Sequence, residues 1–230
     1  NQGELSPALK AFKQSLAQAE SLHRAEPSNN DYLFELGQAE FWVGYVAWQR
    51  GELDQANQSM QRYLEYSEKL SGREPGNVDY KLEVSYALSN LGSIANAQSQ
   101  PEKALEKFQA AAEIGEKLLD DNPANADLAM NLADTISWIG TSLLDLGQLK
   151  AARAQFRKAA EIMRPFHQKG KDKRASDYYA RILGLYGDAE YNAGAIASGT
   201  EALLESVTIY DELHKEDATN NFRQSTATRS

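Results

Sequence analysis

The sequence predicts an all-α fold, a solenoid of antiparallel helix pairs, on three observations. The triplets Gly3-Glu4-Leu5, Gly51-Glu52-Leu53, Ser99-Gln100-Pro101 and Gly147-Gln148-Leu149 recur at a constant step of 48 residues. Other columns keep that step: Ala8, Ala56, Ala104 and Ala152; Phe12, Met60, Phe108 and Phe156; Gly44, Gly92 and Gly140; Asn29, Asn77 and Asn125. Between these marks apolar residues fall at helical spacing, as in Trp138–Ile162, where an apolar helix, a Gly-led turn and a second apolar helix follow one another. Self-similarity at such a period marks a stack in which no unit buries its apolar face alone.

The first helix of each unit is termed helix A and the second helix B. Residues 1–29 read as half a unit, helix B only, with a turn from Gly3 to Ser6, Pro7 in the first helical turn, and an apolar stripe through Leu9, Phe12, Leu16, Ala19 and Leu22. Unit 30–77 carries Leu33, Leu36, Glu40, Val43, Gly44 and Ala47 on helix A, and Ala56, Met60, Tyr63 and Leu64 on helix B. Unit 78–125 repeats this with Leu88, Leu91, Gly92 and Ala95, and Ser99 with Glu102 stands at capping-box spacing for its helix B. Unit 126–172 is the most regular, through Leu132, Ile136, Ile139, Gly140 and Leu143, then Ala152, Phe156, Ala159, Ala160 and Met163; Pro165 predicts a kink or early end. In unit 173–219 the step shortens to 47 at Gly187 and Gly194, and a second capping-box pair, Ser198 and Glu201, predicts a late start for helix B. Residues 220–230, after Asn220-Asn221, are expected to begin a further helix or to fray. The missing first helix and this tail make the chain read as one array cut from a longer polypeptide.

Composition narrows the function classes. A formal net charge of −9 gives no broad positive field for phosphate backbones or anionic lipid, so nucleic acid is not an expected partner. The basic run Lys169–Arg174 reads as a solvated linker. No apolar run reaches the ~18 residues that span a bilayer, and no signal segment is present in this stretch, which points to the cytoplasm and against membrane insertion. Without cysteine there is neither a disulfide framework nor thiol chemistry.

No catalytic constellation is found: no Gly-rich phosphate loop, zincin helix, nucleophile elbow or calcium loop. His23, His167 and His214 hold equivalent places near the ends of three helices B, too far apart for one metal ion, and read as cations complementing helix C-termini. No enzyme activity, cofactor or metal is expected.

The pattern Ile139-Gly140, Leu143, Ala152, Phe156 and Ala159, with the proline-containing loop at Pro123, resembles the tetratricopeptide repeat (TPR) over nearly the whole chain. The likeness implies a right-handed superhelical solenoid, with the glycine letting helix A lie close to helix B and the aromatic interlocking between them. The unit exceeds the common repeat of about 34 residues by about two turns per helix, which keeps the same faces inward. This long-helix variety is similar to arrays in large bacterial signalling proteins.

The resemblance also implies a groove lined by helix A residues. By position these are Gln38, Phe41, Trp42, Tyr45 and Trp48; Tyr86, Ser89, Asn90, Ser93 and Asn96; Asp134, Ser137, Trp138, Thr141 and Leu144; and Arg181, Asp188 and Tyr191. Packing against the neighbouring unit competes with groove exposure, and is favoured for Phe41 and Trp42 while Tyr45 and Trp48 stand evenly between the two. The Lys, Asn and Arg set with which some TPR domains grip carboxylate tails is absent, because Phe41, Tyr45, Ser93, Asp134 and Trp138 hold those places. The function expected is a non-catalytic protein–protein interaction scaffold that binds a peptide or protein segment, as part of a larger protein. The alternative is a structural spacer or self-association module of a multidomain bacterial signalling protein, stacking through its terminal helices.

Overall fold

The computed structural model describes residues 2–170 and 172–227, with side chains described from 7 to 215 apart from 171. The described residues form nine α-helices and no strand: α1 (Gln2–Ala25), α2 (Asn30–Gln49), α3 (Leu53–Arg73), α4 (Val78–Ala97), α5 (Pro101–Asp121), α6 (Ala126–Asp145), α7 (Leu149–Gln168), α8 (Lys173–Asn192) and α9 (Ile196–Ala227). They fall into two compact units, one ending at Leu118 and one beginning at Leu119. Among the described residues no helix is long and apolar enough to cross a membrane.

The asparagine column starts helices. Asn29, Asn77 and Asn125 are N-caps of α2, α4 and α6, each side chain accepting two backbone N–H groups of the first turn, and Asp172 caps α8. The glycine-led turns close the helices A in one repeated form. Gly51, Gly147 and Gly194 have positive φ, and the next residue's N–H reaches back five residues, as from Glu52 to the Ala47 carbonyl at 2.9 Å. Ser99 holds the same place with φ 58° and the same bond, from Gln100 to Ala95 at 2.9 Å.

In the first unit the core runs between α2, α3 and α4 through Ala47, Met60, Tyr63, Leu91 and Ile94, and α1 adds Leu9 against Val43 and Val46. A Cβ on Gly92 would sit 2.8 Å from the Phe108 ring, so the glycine and phenylalanine columns are one contact between α4 and α5. The same contact recurs in the second unit, where a Cβ on Gly140 would lie 2.6 Å from Phe156. In its last pair the fit is backbone to backbone: Gly199, which replaces the alanine column on α9, leaves room for the α8 backbone at Gly187 and Tyr191.

Several local expectations are corrected. Helix α1 begins at Gln2, so there is no turn at Gly3–Ser6 and Pro7 lies inside the helix; buried Leu9 and Ala19 help to hold it. Helix α7 runs past Pro165 to Gln168 because Phe166 buries on its last turn. Neither serine forms a capping box. Ser99 is the left-handed residue of a turn, and Ser198 lies within α9, which starts at Ile196, in register with Leu149 and not late. Helix α9 continues through Asn220-Asn221 to Ala227, since no glycine or proline follows Gly199 and asparagine alone disfavours a helix only weakly. His214 consequently sits in mid-helix, away from a C-terminus. Within the basic run, Lys173 and Arg174 belong to α8, and Arg174 pairs with Asp172 and Asp127, both at 3.1 Å.

Candidate functional site

The helix A residues of the first unit divide into packed and open side chains. Phe41, Trp48 and Tyr86 are half-buried against the core of α2, α3 and α4. Trp42 stacks on Phe12 of α1, with ring centroids 5.5 Å apart, yet keeps 43% of its surface open. Tyr45 is 36% exposed and touches Phe41, Trp42 and Trp48 with centroids 6.0–6.3 Å apart. Open Trp42 and Tyr45 therefore stand on a continuous base of aromatic rings, which reaches Tyr63 through Phe41 at 5.6 Å.

Beside that base lies a polar centre. Gln38 on α2 donates through Nε2 to Glu83 Oε2 on α4 at 2.6 Å, and the Tyr63 hydroxyl on α3 donates to the same oxygen. Burial, and next the Glu83 carboxylate, push the Tyr63 phenol well above its ordinary value, so it remains a donor. On the other side of α2, fully buried Glu40 accepts two hydrogen bonds from Arg62 of α3. The short polar residues of α4 are occupied locally: Asn90 donates to the Tyr86 carbonyl at 2.8 Å and Ser93 to the Ser89 carbonyl at 3.1 Å. Asn96, one turn beyond, is half-buried.

The second unit places its predicted residues differently. Ser137 is only 2% exposed and donates to the Asp134 carbonyl at 2.7 Å, so it has no surface to offer a ligand. Thr141 bonds the Ser137 carbonyl at 3.2 Å. Such bonds to a carbonyl one turn back are the usual resort of hydroxyls inside helices. Asp134 of α6 and Arg181 of α8 pair with each other, and Arg181 also lies over the Tyr178 ring at 5.4 Å. Trp138, Leu144, Asp188 and Tyr191 are exposed.

Two centres were not foreseen. Glu190, buried on α8, accepts from Arg153 Nε at 3.0 Å and Nη2 at 2.7 Å and from Ser198 at 3.0 Å, and the Arg153 bonds hold its carboxyl below the ordinary range despite burial. His167 meets Ser176 at 3.0 Å and stacks on Tyr179 at 5.0 Å, which ties α7 to α8. His23 Nδ1 is buried without a hydrogen-bond partner. The sequence signal for Glu190 is an acidic residue in a column that is apolar elsewhere, at Ala47, Ala95 and Leu143, whereas Glu83 shares a polar column with Glu35, Asn131 and Tyr178 and carries no such signal. Among the described residues no group of three or more His, Asp or Glu is placed to hold a metal ion.

No protein-family model matches the chain, and no curated protein matches it in sequence. Solved structures do match in fold. The apo form of RapI is 17% identical with a TM-score of 0.68, covering 95% of this chain and 69% of that one. A putative kinesin light chain of Podosopora anserina with nearly identical TPR-like repeats is 13% identical with a TM-score of 0.65, covering 93% and 90%. PlcR of Bacillus thuringiensis, solved in complex with the peptide PapR7 and DNA, is 12% identical with a TM-score of 0.55, covering 95% and 71%. With paired helices, glycine-on-phenylalanine contacts and these likenesses together, the chain has the TPR-like all-α repeat fold.

Proposed function

We propose that the chain is a non-catalytic interaction scaffold, and that the helix A face of its first unit binds a peptide or protein segment. The observation that carries this reading is the open pair Trp42 and Tyr45 on a base of packed aromatic rings. Large aromatics held rigidly lose little entropy on binding and dominate the energetics of recognition. Asn90 and Ser93 of α4 are engaged with their own helix, which leaves the rings as the main contact area. The fold likeness to PlcR, whose structure includes a bound peptide, supports the same reading.

The test is a peptide array probed with the full chain and with a Trp42→Ala, Tyr45→Ala double variant whose helicity and melting are checked by circular dichroism. Selective peptides that lose at least tenfold in affinity with the folded double variant are the expected result. Absence of selective binding, or binding indifferent to both rings, overturns the reading.

A second reading, self-association, rests on α9, where Leu204 and Val207 are 63% and 57% exposed. The equivalent of Val207 on α7 is Ala160, which is buried.

A further inference from the structure

Glu83 is a half-buried carboxylate that meets no cation among the described residues. Both of its hydrogen bonds, from Gln38 and Tyr63, arrive at Oε2, and Oε1 receives no donor among the described residues. Neutral donors orient a carboxylate but leave its charge uncompensated, so a cation offered to the open oxygen gains a preset acceptor.

The second unit meets a carboxylate of helix A with a cation of the same unit. Gln38 belongs to the column Gln38, Tyr86, Asp134 and Arg181, which steps by 48, 48 and 47 residues. There the Asp134 carboxylate on α6 is met by the Arg181 guanidinium on α8, which lies over the Tyr178 ring. In the register of the repeat Asp134 answers to Gln38, Arg181 to Tyr86 and Tyr178 to Glu83, so the Arg181 guanidinium has no counterpart in the first unit, where the aromatic faces are already present: Tyr63 bonds Glu83 and contacts Phe41, which contacts Trp42 and Tyr45. Helix α2 carries no lysine or arginine, and the whole chain carries a formal charge of −9.

We propose that Glu83 is a specificity-determining residue that accepts, through Oε1, the guanidinium of an arginine on the bound segment, while an adjoining apolar side chain of that segment packs on Trp42 and Tyr45. The partner is thus a basic-apolar peptide. Guanidinium suits the place because its planar fork pairs with a carboxylate while its face lies on aromatic rings. This rests on the scaffold reading above, and adds the chemistry of the ligand to it.

The experiment uses blocked peptide libraries, acetylated and amidated so that terminal charges do not contribute, in which one position beside a fixed leucine is arginine, lysine, citrulline or glutamate. Affinities are measured by tryptophan fluorescence and calorimetry on the full chain. Wild type is expected to bind the arginine set about tenfold more tightly than the citrulline set, which has the same shape without the charge. Glu83→Gln keeps an acceptor for Gln38 and Tyr63 and removes the charge; it should abolish the arginine preference while leaving binding to the aromatic face. Gln38→Arg supplies the cation from within, at the position that already donates to Glu83, and should abolish it too. Equal affinity for the arginine and citrulline sets, or a preference that survives Glu83→Gln and Gln38→Arg, overturns the role of Glu83. If such charge-blind binding still depends on Trp42 and Tyr45, the scaffold reading stands without it; if no set binds at all, both fall.

Discussion

At the scale of single residues the repeat turn is the most demanding position. Three of its four occurrences use glycine with positive φ, at Gly51, Gly147 and Gly194, and the fourth forces Ser99 to φ 58°. A residue with a Cβ pays about 1–2 kcal/mol there, part of which glycine returns through its freer unfolded chain. Ser99→Gly should therefore raise stability by about 0.5–1 kcal/mol, read from the midpoint of urea unfolding at unchanged slope. A lower midpoint would show that the serine side chain contributes more than its backbone costs. Glu83 belongs to this scale as well: the spacing of the repeat marks its neighbours Gln38 and Tyr86, but its two donors come from different helices and become visible only once α2, α3 and α4 are packed.

Between elements, buried ion pairs fasten helix to helix. Glu190 on α8 is held by Arg153 on α7, with Ser198 of α9 adding a third bond. Since the folded carboxyl titrates below its ordinary value, its contribution is fully present above the unfolded pKa of about 4.3 and is lost as pH falls through the lower folded value. Arg153→Met should lower the urea midpoint near neutral pH, because it removes two hydrogen bonds from a buried carboxylate and leaves it Ser198 and the more distant Arg157 at 3.7 Å. The gap between wild type and variant should narrow as the solution is acidified below the carboxylate range, since a protonated Glu190 needs no counter-ion. Urea unfolding followed by circular dichroism across that range measures both, and a gap independent of pH would rule out this role. The glycine-on-phenylalanine contacts at Gly92 and Gly140 are legible in the sequence, whereas Gly199 is not: its column is alanine elsewhere, and only the close approach of the α8 backbone explains the change.

On the scale of the whole molecule, what is left uncovered matters most. Helix α7 packs against both α6 and α8, but α9 is packed chiefly against α8 and exposes Leu204 and Val207 on its outer side. If that surface mediates self-association, light scattering should show a mass that grows with concentration, and Leu204→Glu with Val207→Glu should restore a constant monomer mass. A wild-type mass that stays monomeric over the whole concentration series overturns that reading and leaves the aromatic face of the first unit as the interaction surface.

The sequence by itself determined the helical class, the 48-residue period, the turns at Gly51, Ser99, Gly147 and Gly194, and the columns that pack helix A on helix B. These are patterns written within one unit and repeated, so each copy confirms the others. The family likeness pointed to the helix A face as a place for recognition, with Tyr45 and Trp48 standing evenly between groove and packing. Only the tertiary structure decided that Ser137 is buried, that Phe41 and Trp48 are packed while Trp42 and Tyr45 stay open, that Asp134 and Arg181 satisfy each other, and that Glu83 has donors but no cation among the described residues. Exposure and charge pairing depend on the rotation and separation of helices about 45 residues apart in the chain, as Gln38 and Glu83 are. A repeat period specifies which residues are equivalent, but not which side chains finally meet.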